Sequence, residues 1–192
     1  MGAGETKDCL LSNISFTVQS GQNVAIVGPS GSGKSTVLRL MTRMLEPTAG
    51  AVLIDGVDTR HVSLRSLRRR ISVVPQDTSL FDGTVEYNIK YGNFSATATD
   101  FKAAVDRCNL APVIARLENG FQTEVGERGA RLSGGERQKV SIARALLKDP
   151  SVILCDEVTS SVDAFAEREI VTSLVQAGLD KTMVTIAHRL SR

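Results

Sequence analysis

The run Gly28-Pro29-Ser30-Gly31-Ser32-Gly33-Lys34-Ser35 carries more chemistry for its length than any other part of the chain. Glycines let the backbone turn tightly, so that successive N–H groups face one point. A helix starting at Lys34 would add about half a positive charge there, and the two together make an anion site. Lys34 supplies a mobile cation for outer phosphate oxygens, and the Ser35 hydroxyl is placed to bind Mg²⁺. The pattern G-x-x-x-x-G-K-[ST] requires a strand before it and a helix after it. Both are present: Asn23 to Val27 reads as a strand buried on both faces, and Lys34 to about Met44 as a helix. That context outweighs an accidental Gly/Ser-rich surface loop.

Two further groups fit a site that handles phosphate. Asp156 ends the apolar run Val152-Ile153-Leu154-Cys155, and α/β sheets bind ligands at the carboxyl ends of their strands. Asp156 would hold Mg²⁺ through water. Glu157, next in the chain and pointing differently, can reach the water attacking a γ-phosphate and orient or deprotonate it. The heptad Leu132-Ser133-Gly134-Gly135-Glu136-Arg137-Gln138 holds a capping pair, Ser133 with Glu136, at a helix start. Its two glycines keep side chains out of the way, so a second phosphate could approach. One nucleotide seldom needs two such helix starts from one fold, so this one would serve a nucleotide held by another copy. On the residues alone, a well-capped helix with no ligand is an equal reading.

The elements that must place these groups alternate strand and helix. Ile14, Phe16 and Val18 alternate with polar residues as a half-buried strand does. Ala51 to Ile54 with Asp55-Gly56 is one arm of a strand–turn–strand unit. Ile71 to Val74 is a strand stopped by Pro75, and Thr99 to Leu117 reads as two short helices broken near Pro112. Ser133 to Lys148 is a long helix ended by Asp149-Pro150. Val152 to Cys155 and Met183 to Ile186 are strands, and Ala164 to Ala177 is a helix with Asp163 as N-cap and Gly178 as stop. This order gives an α/β layered domain with a mainly parallel sheet.

Composition narrows the classes. The 192 residues suit one domain, and 42% hydrophobic with 23% charged residues is an ordinary globular mix. A net charge of +2, 4% aromatic residues and no Trp argue against a nucleic-acid binder built on stacking platforms. Arg65, Arg68, Arg69 and Arg70 form the one basic run, read as a solvated helix face. Cys9, Cys108 and Cys155 are odd in number and widely spaced, which speaks against disulfides and zinc. Cys9 to Gly33 is uncharged but rich in Ser, Thr, Asn and Gln, unlike a membrane span.

Taken in order, these motifs resemble the nucleotide-binding domain of ATP-binding cassette (ABC) proteins nearly end to end. The resemblance implies a P-loop NTPase fold: a mainly parallel core sheet, an antiparallel β subdomain and a helical signature lobe at roughly residues 84–148. It implies that Gly28, Pro29, Ser30, Gly31, Ser32, Gly33, Lys34, Ser35 and Thr36 bind ATP, with Mg²⁺ at Ser35, Gln76 and, via water, Asp156. Leu132, Ser133, Gly134, Gly135 and Glu136 become the signature that meets the partner domain's ATP. Gln76 falls in the loop that senses Mg²⁺ and attacking water, Ser160-Ser161-Val162-Asp163 in the loop that crosses to the partner, and His188 becomes the γ-phosphate switch. Catalysis would rest on Glu157, His188 and Gln76.

The loop Thr123 to Gly129 resembles one that exporters use to touch the coupling helices of a transmembrane domain. Leu80 to Thr84 and Tyr87 to Asn93 resemble half-transporters of the mitochondrial and heavy-metal-tolerance subgroup. The implied function is the ATP-hydrolysing motor of an ABC exporter. It would dimerise head to tail with a second nucleotide-binding domain, in a homodimer or half-transporter pair, and no nucleic acid is expected. It would lie on the cytosolic or mitochondrial-matrix face of a membrane through a transmembrane domain outside this soluble chain. A soluble ABC ATPase acting on ribosomes or chromosomes is the alternative; a kinase or GTPase is remote. Three departures stand out. Nothing from Met1 to Ser15 is aromatic, so adenine stacking is unassigned. Val158 and Val162 replace a small residue and a leucine, and the chain stops four residues after His188, as a domain truncated at both ends would.

Overall fold

The computed structural model describes residues 10–160 and 162–187. In chain order its strands are β1 (Asn23–Val27), β2 (Leu53–Ile54), β3 (Val57–Asp58), β4 (Ile71–Val74), β5 (Val152–Asp156) and β6 (Thr182–Ala187). The helices are α1 (Lys34–Met41), α2 (Leu64–Arg70), α3 (Val85–Lys90), α4 (Ala98–Arg107), α5 (Ala111–Arg116), α6 (Gly134–Leu147) and α7 (Ala164–Ala177). Four strands form one parallel sheet in the order β1-β6-β5-β4, so the last strand in the chain lies between the first and β5. That order sets the loops after β1 and after β5 on either side of the end of β6.

Parallel strands covered on both faces carry apolar side chains on both, as the middle strands do here. On β5, Ile153 and Cys155 join a large core with α6 and α7 residues such as Val140, Ile142, Ile170 and Leu174. Leu154 faces the other way and packs with Leu38 of α1, Leu67 of α2, Val184 and Ile186. Each such side chain, fully buried, contributes about 1.5–3 kcal/mol. Cys108 and Cys155 are free thiols in this core; burial pushes the Cys155 thiol up to about 12.

β2 and β3 make a separate antiparallel pair. Asp55 and Gly56 both have positive φ (51° and 76°), the two-residue turn that matches strand twist. α1 ends earlier than its apolar pattern suggests. Arg43 turns left-handed at φ 50°, and the Met44 N–H donates to the Arg39 carbonyl at 2.8 Å, closing a Schellman cap with an arginine where glycine is usual. The Arg43 guanidinium gains the carbonyls of Thr59 and Val62, at 3.1 and 3.0 Å. From the basic run, Arg68 donates to the carbonyls of Thr42 and Arg43, a cation at a helix C-terminus.

Two further expectations are corrected. Ile14 to Val18 forms no strand: Ile14 and Phe16 are 54% and 50% exposed, and among the described residues no strand pairs with them. The break between the middle helices falls at residues 108–110, where Asn109 is left-handed at φ 47°. Pro112 sits inside the first turn of α5, where a missing N–H costs nothing. α3 was not anticipated, because six residues are too few to show a helical period.

Candidate functional site

The loop from Gly28 to Ser35 closes on itself. Gly31 and Gly33 hold φ of 77° and 90°, conformations that L side chains rarely adopt, and Gly33 is the N-cap of α1. A Cβ at Gly33 would lie 2.6 Å from Leu11 Cδ2, so space as well as φ demands glycine. Lys34 is 7% exposed and spans the loop, its Nζ donating to the carbonyls of Gly28 and Pro29 at 2.9 Å each. The cation thus lies against the cradle wall with α1 behind it.

Ser35 Oγ donates to Asp156 Oδ1 at 3.1 Å across the end of the sheet. Strand order makes that meeting: β1 and β5 both run parallel to β6, so the start of α1 and the last residue of β5 meet at one end of the sheet. A hydroxyl and a carboxylate side by side are hard oxygen donors of the kind Mg²⁺ takes while keeping several waters. Ser35 and Asp156 therefore fit the metal that sequence reasoning assigned to them.

Glu157 leaves the sheet in a left-handed turn at φ 48°, a conformation that costs a non-glycine residue about 1–3 kcal/mol. Neighbours hold it there. Its N–H donates to the Ile186 carbonyl at 3.1 Å, and its own carbonyl accepts from the Ser160 N–H at 3.1 Å and the Ser160 hydroxyl at 2.9 Å. The turn takes the backbone out of the sheet immediately after Asp156, the last residue of β5. His188 lies outside the described residues, one position beyond β6.

The helix start at Ser133 is built as the capping pattern requires. Ser133 Oγ accepts from the Glu136 N–H at 3.3 Å, and Glu136 Oε2 accepts from the Ser133 N–H at 2.9 Å. Arg116 pairs with the other Glu136 oxygen at 2.7 Å. In the first turn, Gly134 and Gly135 have no acceptor within the helix for their N–H groups. Gly135 is also required for packing, since a Cβ there would lie 2.9 Å from the Ala166 Cβ of α7. Gly135 thus also has a packing role beside the one the sequence suggested. Close by, Asp163 Oδ1 caps α7 by accepting from the N–H groups of Phe165 and Ala166, at 2.9 and 3.0 Å, and these bonds hold its pKa below the usual carboxylate value.

Gln76 is exposed in the loop after β4 and, among the described residues, makes no hydrogen bond to Ser35 or Asp156. It lines a cavity of about 120 Å³ with Gly134 and Val158. Sequence reasoning passed over Gln138, a buried amide bonded to the Gln76 loop, and Arg137, which donates to the Leu132 carbonyl at 2.6 Å. Both sit in the recognised heptad, but only the fold shows what they reach.

A second unforeseen feature is an aromatic platform on the helical lobe. The rings of Phe81, Tyr87, Tyr91 and Phe94 meet at centroid distances from 4.2 to 6.4 Å, yet each is 41–61% exposed. Arg144 lies 5.1 Å from the Phe81 ring centroid, and burial lowers its pKa. It donates to the Asn88 carbonyl and Oδ1 at 2.8 and 2.6 Å. An open groove of about 660 Å³ separates the Gln76 loop from the loop that includes Glu127 and Arg128. No described helix is long and apolar enough to cross a membrane.

A family model described as ABC transporter matches residues 11–160. The chain is 48% identical over 182 residues to the ATM1-type heavy metal exporter of Novosphingobium aromaticivorans, covering 95% of this chain and 30% of that protein. It is 50% identical over 182 residues to the human mitochondrial iron-sulfur clusters transporter ABCB7, covering 95% of this chain and 24% of that protein. A solved structure, of a bacterial Atm1-family ABC exporter with ATP bound, matches with a TM-score of 0.86 at 46% identity, over 97% of this chain and 33% of that one. The chain therefore spans no more than about a third of these relatives. A match running from ahead of β1 to beyond Glu157, at these identities, establishes that the chain belongs to the ABC transporter family.

Proposed function

We propose that this chain is the ATP-hydrolysing motor domain of an Atm1-type ABC exporter and works as a head-to-tail pair over two ATP. The observation that carries the reading is the Ser35–Asp156 contact at the sheet end, with Glu157 in a left-handed turn directly after it. The phosphate loop binds the triphosphate of its own copy, and Lys34 moves from the loop carbonyls to the outer phosphates. Ser35, Asp156 through water and Gln76 would hold Mg²⁺, which would supply charge neutralisation on the phosphates. Glu157 takes a proton from the attacking water. Gln76 and His188 complete the site. The N–H groups of Gly134 and Gly135 receive the γ-phosphate of the other copy, so ATP joins two surfaces that otherwise stay apart, a population shift driven by differential affinity.

The aromatic platform and the groove beside Glu127 and Arg128 serve the transmembrane domain, where coupling helices carry closure of the pair into the membrane. The names of the relatives support an exporter over a soluble ATPase acting on ribosomes or chromosomes. The decisive test is Glu157→Gln, which keeps shape and removes the base. It should accumulate an ATP-bound dimer on gel filtration, with hydrolysis lowered about a hundredfold or more. Hydrolysis at the parent rate would remove Glu157 from the mechanism.

A further inference from the structure

Gln138 lies one turn below Gly134 on α6 and is 3% exposed. Its Nε2 donates to the Pro75 carbonyl at 3.0 Å, and its Oε1 accepts from the Thr78 hydroxyl. Pro75 precedes Gln76 and Thr78 follows it by two positions, so one buried amide grips the loop on both sides of Gln76. Both ends of the amide are committed: a carboxylate could not donate to Pro75, and an aliphatic group could do neither. The cavity of about 120 Å³ lies at the same junction, lined by Gln76, Thr78, Gly134, Gln138, Val158 and Val162. Val158 follows Glu157 and Val162 precedes Asp163, so three functional segments converge on this space.

We propose that Gln138 is a positioning residue that ties the Gln76 loop to the start of α6, so that the two move as one body. The proposal rests on the function given above. The physical basis is the cost of breaking a buried polar pair, which leaves donor and acceptor unsatisfied away from water. A displacement of the Gln76 loop as its own copy's nucleotide changes therefore carries Gln138, and a rigid helix carries Gly134 and Gly135 with it. The geometry offered to the partner's triphosphate then depends on what the first site holds. That dependence is a coupling between two sites through a single two-ended contact.

The test uses Gln138→Met, of similar length without hydrogen bonding; Thr78→Val, which loses only the hydroxyl; Thr78→Ser, which keeps it; and Gln76→Ala. Nucleotide affinity, ATP-dependent dimerisation and hydrolysis are measured on each purified protein. Gln138→Met and Thr78→Val should leave ATP affinity within about twofold and lower hydrolysis about tenfold or more, as misplacement remote from the chemistry does. Thr78→Ser should hydrolyse at close to the parent rate. Adding Gln76→Ala to Gln138→Met should cost little beyond the worse single change, the mark of residues acting through one contact. Parent-rate hydrolysis in Gln138→Met and Thr78→Val, or losses that simply multiply, would overturn the coupling. If Gln138→Met does not fold, Thr78→Val on its partly exposed position decides the matter alone. If instead Gln76→Ala by itself is without effect, the role of Gln76 in the proposed function falls and this proposal with it.

Discussion

At the scale of single residues, the polar groups at the start of α1 are held by protein partners. Lys34 rests on two carbonyls of its own loop, and Ser35 rests on Asp156. In the proposed function the Ser35 hydroxyl exchanges its carboxylate partner for the metal. Ser35→Ala should therefore raise the Mg²⁺ concentration needed for half-maximal hydrolysis by about tenfold or more, the usual scale for losing a group that supports a metal. A Mg²⁺ titration at saturating ATP reads this directly, and an unchanged midpoint would detach Ser35 from the metal. Glu157 shows the same logic in its backbone. Its left-handed φ is sustained by Ile186 and Ser160, through backbone contacts and the Ser160 hydroxyl.

At the scale of elements, two glycines decide how helices meet. A methyl group on Gly92 would overlap the Arg144 carbonyl of α6, and one on Gly135 would press on Ala166 of α7. Overpacking against backbone costs about 1–3 kcal/mol or more, so Gly92→Ala should lower the urea midpoint clearly. Gly135→Ala should cost less, because its neighbour is a side chain, and Ala166→Gly should recover most of the loss in the double variant. Failure of that rescue would mean that Gly135 is needed for its backbone and not for the close approach.

Asp163 at the start of α7 adds a pH dependence. Its folded pKa is lowered by the N–H groups of Ala166 and Phe165, so its contribution is complete above the ordinary carboxylate value and lost as pH falls through the lowered one. The stability difference between the parent and Asp163→Asn should be constant from pH 5 to 7 and shrink below about pH 4. A difference that does not change with pH would contradict the charge-assisted cap.

At the scale of the whole molecule, the sheet gathers the chemistry at one end while the helical lobe presents a separate, aromatic face. Rings that stack on one another and on Arg144, and still leave about half of each exposed, form a stiff apolar surface suited to a partner helix. In the proposed exporter, Tyr87→Ala and Phe94→Ala should leave ATP hydrolysis by the isolated domain unchanged. They should weaken cross-linking to the transmembrane domain, and undiminished cross-linking would move the coupling surface elsewhere. In the proposed exporter, nucleotide contacts lie on one side and output on the other.

Local order was legible from residue types alone. The strand–loop–helix at Gly28–Ser35, the capping pair Ser133 and Glu136, and the Asp163 cap all act within a few residues, where backbone geometry and neighbouring side chains suffice to set the outcome. The alternation of strand and helix likewise implied a parallel sheet. Strand order, the Ser35–Asp156 contact, the Gly135–Ala166 approach, the Gln138 clasp and the aromatic platform join residues far apart in the chain. The Ile14–Val18 pattern failed as a strand for a related reason: alternation makes a segment able to pair, but only a neighbour in space supplies the hydrogen bonds. Sequence by itself determined the kind of fold and pointed to candidate reacting groups, because those depend on local chemistry and periodicity. Tertiary structure alone decided which groups meet, because contact between distant segments is set by how the sheet and helices pack.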